Sequence, residues 1–157
     1  MKVEKILRWI VIGLAIAFTV IQIVQPDRSN PQTTPAMTID SVLVFRAPIS
    51  TMIKASCFDC HSNDTRWPWY SNVAPVSWLV ADDVHTGRRH LNFSEWGKYP
   101  KSKQILKLGQ IYEQISKGDM PMVKYLYMHS DAKLTQANRD SITAWTEAMR
   151  DSVMGGN

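Results

Sequence analysis

Cysteine is scarce in this chain: its 157 residues include only Cys57 and Cys60. A single pair three positions apart closes no useful loop, so a disulfide scaffold is excluded and the value of the two thiols must be chemical. Excess charge is equally scarce. Residues 1–24 carry three basic residues against one acidic, and the remainder carries 15 against 13. A nearly neutral body lacks the basic surface that neutralises several phosphates, so no nucleic-acid partner is expected. Strand-like alternation, internal repeats and low-complexity tracts are absent. With 45% hydrophobic and 20% charged residues, the composition fits one folded domain of modest size.

The N-terminus is different. Residues 6–24 form an apolar run interrupted only by Arg8, Thr19 and Gln22, with Trp9 at its entrance. At 1.5 Å per residue the run measures about 28 Å, close to the roughly 30 Å of a bilayer core. A cleaved signal peptide has a shorter apolar part and a small-x-small site, and Ile21-Gln22-Ile23-Val24-Gln25-Pro26 offers none. The expectation is therefore a signal anchor, a single-pass transmembrane helix over residues 1–24. Basic residues ahead of it place the N-terminus in the cytoplasm and everything after it on the periplasmic side of an inner membrane. Residues 25–38 hold three prolines and no apolar periodicity, which reads as a flexible tether. The folded domain is expected over residues 39–157.

Four helical patterns follow. The first begins at Pro48, carries Ile49, Met52 and Ile53 on one face, and leads into Cys57. The second starts at Pro75 with Val76, Leu79, Val80 and Val84 before Gly87 weakens it. The third covers residues 102–117, with Ile105, Leu108, Ile111, Tyr112 and Ile115 as a stripe and Gly118 as a stop. The fourth follows Thr135 as N-cap and carries Ile142, Trp145 and Met149. The fold class is all-α.

The motif that carries chemistry is Cys57-Phe58-Asp59-Cys60-His61, a C-x-x-C-H pattern that reads as covalent haem attachment. Cysteines three apart near a helix end project to one side, where each thiol reaches one vinyl group, and the adjacent histidine turns its imidazole onto the iron. Cys57 and Cys60 are thus candidate thioether anchors of one haem c, and His61 the proximal axial ligand. Rival uses fit less well. A zinc site with His85 and His90 has the wrong spacing, and a thioredoxin-like dithiol wants its first cysteine at a helix start, whereas here the helical pattern precedes Cys57. A plain disulfide between the two remains chemically open outside the cytosol.

For the sixth iron ligand the candidates are Met120, Met122, Met128, His85, His90 and His129. Met120 has the best context, in Gly118-Asp119-Met120-Pro121, because glycine ends the third helix and proline keeps Met120 on extended chain. Met122 reads as core or haem contact, with ligation as the alternative. The aromatic run Trp67-Pro68-Trp69-Tyr70 suits either a porphyrin cover or ordinary packing. Arg66, Arg88 and Arg89 are candidate partners for haem propionates, or solvated. A basic stretch from Arg88 to Lys107 is either a solubilising face or a surface that steers an acidic redox partner.

The run CFDCHSNDTRWPWYSNVAPVSWLVADDVHTGRRHLNFSEW, with GDMPMVKYLYMHSDAKLT and a tryptophan on the last helix, closely resembles the small haem-binding domain family of membrane-anchored bacterial cytochrome c-like proteins. The resemblance covers nearly all of residues 40–150. It implies a monohaem c-type domain outside the inner membrane of a Gram-negative-type envelope, with Cys57, Cys60 and His61 as the attachment motif and Met120 as the methionine of an M-P segment. Relatives often carry a second proline where Met122 stands, which keeps both methionines in contention. The expected function is electron transfer by a membrane-tethered carrier that catalyses nothing alone. The alternative is a haem sensor or peroxidase-like protein with a displaceable sixth ligand.

Overall fold

The computed structural model describes residues 2–155. Among them there is no strand, and seven helices are joined by short 3-10 turns. They are α1 (Lys2–Ile21), α2 (Ile39–Val42), α3 (Ile49–His61), α4 (Val76–His90), α5 (Lys101–Lys117), α6 (Val123–Leu126) and α7 (Gln136–Gly155).

The expected membrane anchor is not borne out. No helix among the described residues is long and apolar enough to cross a membrane. Helix α1 ends at Ile21, short of Val24, and every 18-residue stretch within it contains Glu4, Lys5 and Arg8. Its uncharged part, residues 9–21, spans only about 20 Å against the roughly 30 Å of a bilayer core. The all-α class stands without the transmembrane helix. The placement on an inner membrane, with a cytoplasmic N-terminus and a periplasmic domain, loses its basis.

Beyond α1 the chain runs along the other helices and is hydrogen-bonded to them. Gln22 exchanges two bonds with the backbone of Ala74, at 3.1 and 2.8 Å, and the Trp78 indole donates to the Val24 carbonyl at 2.7 Å. Arg88 donates to Ser29 O at 3.1 Å and to Asn30 Oδ1 at 2.7 Å, and Asn30 Nδ2 donates to Thr65 O at 2.9 Å.

Helix α3 starts directly after Pro48, where a missing N–H leaves no intrahelical bond unmade. Helix α5 runs to Gly118, whose φ of 77° is the left-handed cap that only glycine adopts without strain. The Gln114 carbonyl there accepts from the backbone N–H of Asp119 at 3.0 Å and of Met120 at 3.3 Å, which fixes how the chain leaves the helix. Helix α7 begins after Thr135, whose hydroxyl accepts from the Asn138 N–H at 3.2 Å. It packs along α5 in the most extensive helix pairing of the molecule. Leu108, Ile111 and Ile115 meet Ile142 in the core, which extends to Ile53, Phe93 and Trp96.

Helix α4 departs from the sequence expectation twice. It continues through Gly87 to His90, and its buried face is Ser77, Ala81, Val84 and Gly87, while Val76 and Leu79 face outward at 41% and 63% exposure. The selection is by size. A Cβ on Gly87 would lie 2.5 Å from the carbonyl oxygen of Cys60 and 3.1 Å from its Cβ, so α4 crosses the end of α3 at a separation only glycine permits.

Candidate functional site

The last turn of α3 carries Cys57, Cys60 and His61 at i, i+3 and i+4, the spacing that groups side chains on one helix face. The α4 crossing at Gly87 brings a carbonyl to the histidine. His61 Nδ1 lies 3.0 Å from Gly87 O and 3.2 Å from Leu91 O. Two carbonyls only accept, so the ring proton sits on Nδ1 and the lone pair on Nε2. Burial holds the His61 pKa below its usual value, chiefly by penalising the charged form, which favours the neutral imidazole that a metal needs.

The two thiols are unbridged, and burial pushes each up to about 12. A dithiol redox centre requires the opposite shift, toward thiolate at neutral pH. Zinc fares no better, since no group of three or more His, Cys, Asp or Glu able to hold a metal ion exists among the described residues.

Cys57, Cys60 and His61 open onto a cavity of about 460 Å³ between α3, α4, α5 and the segment after α5. Ile53, Phe93, Ile111, Ile115 and Ile142 form much of its apolar wall, and Met120 and Met122 both line it. Asp82, Asp83, Thr86 and His90 from α4, and Lys107, Gln110, Glu113 and Gln114 from α5, supply its polar lining. A largely apolar cavity bearing two thiols, a neutral imidazole with its Nε2 unengaged and two thioethers suits a flat, largely apolar ring with a soft-ligated iron.

Of the six residues considered for the sixth position, Met120, Met122 and His90 line this cavity. His85, Met128 and His129 do not. Met128 is exposed, and His129 stacks on Tyr125 at 3.9 Å between ring centroids. The aromatic run lies elsewhere too: Trp69 is 72% exposed, the Trp67 indole donates to Asn30 Oδ1 at 3.1 Å, and the Tyr70 ring packs edge-on against His129. None of the three arginines reaches the cavity. Arg66 forks onto Asp59 through two bonds of 3.1 Å, Arg88 holds Ser62 O at 2.8 Å and Thr65 Oγ1 at 2.8 Å, and Arg89 bonds Thr86 Oγ1 at 2.6 Å.

Several residues that support the site carry no motif signal. Asp59, inside the C-x-x-C-H motif, is buried and accepts from the Arg66 backbone N–H at 3.1 Å and from the Tyr125 hydroxyl at 2.7 Å. It therefore joins the loop after the motif to the segment that follows Met122. Beside it, Asn63, Asn92 and Ser94 form a buried chain of bonds of 2.8 to 3.0 Å that ties the same loop to the exit of α4. Arg139 of α7 donates to the carbonyls of Ile115 at 3.2 Å and Met120 at 3.0 Å, clamping the end of α5 and the methionine together. Only the spacing of Asp59 between the two cysteines was available as a hint.

Compared with known proteins, residues 16–148 match the family model described as a haem-binding domain. No curated protein and no solved structure matches the chain.

Proposed function

Because the chain belongs to the haem-binding domain family, we propose that it is a monohaem c-type cytochrome that passes electrons to and from a redox partner protein. The observation that carries this reading is the convergence of Cys57, Cys60, His61 and two methionines on one apolar cavity. Cys57 and Cys60 each add S–H across a vinyl group, sulfur on one carbon and hydrogen on the other. His61 ligates the iron through Nε2, while the Gly87 and Leu91 carbonyls hold its Nδ1–H, orient the ring and raise its basicity. Met120, pinned through its own N–H and carbonyl, is the sixth ligand, with Met122 as the alternative. The bound iron supplies a one-electron couple, and a thioether ligand raises its potential.

Expression with a cytochrome maturation system tests the reading. The expected product has a pyridine haemochrome of the doubly thioether-bonded type, is low-spin, and shows the far-red sulfur-to-iron band when oxidised. Met120→Ala is expected to abolish that band and Met122→Ala to keep it; the reverse pattern reassigns the ligand to Met122. A second reading, a sensor or peroxidase-like protein with a displaceable sixth ligand, draws on His90, which also lines the cavity. Fast carbon monoxide binding to the native reduced protein would favour it.

A further inference from the structure

We propose that Lys107, assisted by His90, forms the anion subsite that receives the carboxylates of the bound haem. This assignment rests on the c-type reading above. Haem carries its two vinyl groups on one edge and its two propionates on the opposite one. A ring joined to Cys57 and Cys60 through its vinyls therefore turns its carboxylates toward the part of the cavity farthest from the thiols.

On the walls that face α3, His90 comes from α4 and Lys107 from α5. Among the described residues, Lys107 is the only lysine or arginine that lines the cavity. It is half-buried on the inner face of α5, one turn before Ile111. Its Nζ donates to Gln110 Oε1 at 2.9 Å, and it has no carboxylate partner among the described residues. Burial and the nearby Lys103 press its pKa below the usual lysine value, the condition of an ammonium lacking a counter-ion.

Competing positions are accounted for. Arg66, Arg88 and Arg89 are engaged outside the cavity. Of the acids on the wall, Asp83 is paired with Lys124 at 2.7 Å and Glu113 with Lys117, which leaves Asp82 from α4 as the group that opposes an incoming carboxylate. Lys107 supplies the positive charge on the wall that offsets it, and the His90 ring adds an N–H donor.

The test is the pH dependence of the reduction potential of haem-loaded protein between about pH 5 and pH 9, in wild type and in K107Q, K107R, H90Q and K103Q. Glutamine is as good a helix former as lysine, so the fold is not at stake at this half-exposed position. The propionate-linked step is expected to move up by about one pH unit in K107Q, since an opposite charge at contact lowers a carboxyl by one unit or more. H90Q should move it the same way by less. K107R should keep the wild-type step. K103Q should as well, because Lys103 lies over the Tyr99 ring, 4.4 Å from its centroid and outside the cavity. A haem-loaded K107Q with the wild-type step, or a K103Q that shifts as far as K107Q, overturns the subsite alone. Absence of covalent haem from the wild type overturns the c-type reading and the subsite with it.

Discussion

Two glycines on neighbouring helices separate what a missing side chain does at the residue scale. Gly87 is pressed against the Cys60 carbonyl, whereas Gly109 on α5 has nothing within 4 Å of the position its Cβ would take. Gly87→Ala gains about 1 kcal/mol of helix propensity but forces two backbones apart, and overpacking of that kind costs about 1–3 kcal/mol. A net loss of up to about 2 kcal/mol is expected. Gly109→Ala should instead stabilise by about 0.5–1 kcal/mol. Urea denaturation of the two variants checks the opposite signs. The Asp59 cluster makes a second contrast. Tyr125→Phe removes a 2.7 Å bond to a buried carboxylate and should cost about 1–2 kcal/mol. Arg66→Ala, whose side chain is 65% exposed, should cost less than about 1 kcal/mol because solvent screens the pair. If Arg66→Ala proved the more damaging, Asp59 would depend on its ion pair rather than on the tyrosine.

At the scale of elements, the geometry of the site depends on how helices end. Helix α3 stops at His61, so the motif occupies a last turn with a buried inner face. Helix α5 stops at Gly118, and the turn it makes aims the chain so that Met120 and Met122 enter the cavity. Gly118→Ala forces a Cβ into φ +77°, a conformation that costs about 1 kcal/mol or more. Because Met120 hangs from the Gln114 carbonyl exposed by that cap, the substitution is expected to weaken the far-red band of the oxidised haem protein as well as lower the thermal midpoint. Lower stability with an unaltered band would mean that Arg139 alone positions the methionine.

For the whole molecule, the segment between α1 and α2 behaves as a strap. Arg88 gathers Ser29, Asn30, Ser62 and Thr65 into one set of bonds, and so connects the strap, the loop after the haem motif and α4. Arg88→Gln should therefore speed proteolytic cleavage within residues 25–34 several-fold, while cleavage within α5 and α7 stays at the wild-type rate. Limited proteolysis followed by mass spectrometry distinguishes the two. By contrast α1 has no buried residue, and deleting residues 2–21 is expected to leave the thermal midpoint of the remainder unchanged.

The all-α class, the three long helices of the core and the grouping of Cys57, Cys60 and His61 on one helix turn were legible in the amino-acid sequence, because helix periodicity, caps and the C-x-x-C-H spacing are local patterns. Thr135 and Gly118 are caps in the structure as their residue types require. The bilayer-spanning length assigned to the N-terminal run was not sound: hydropathy read along the chain extends past Ile21, where the helix ends. The outward turn of Val76 and Leu79 escaped for a related reason, since a helix pressed against another selects small residues as much as apolar ones. Local sequence determined which groups are present to hold a haem. Only tertiary structure decided which of them meet, bringing Met120, Met122 and Lys107 to the cavity and sending Arg66 and Arg88 elsewhere, because those encounters depend on how α4, α5 and α7 cross α3.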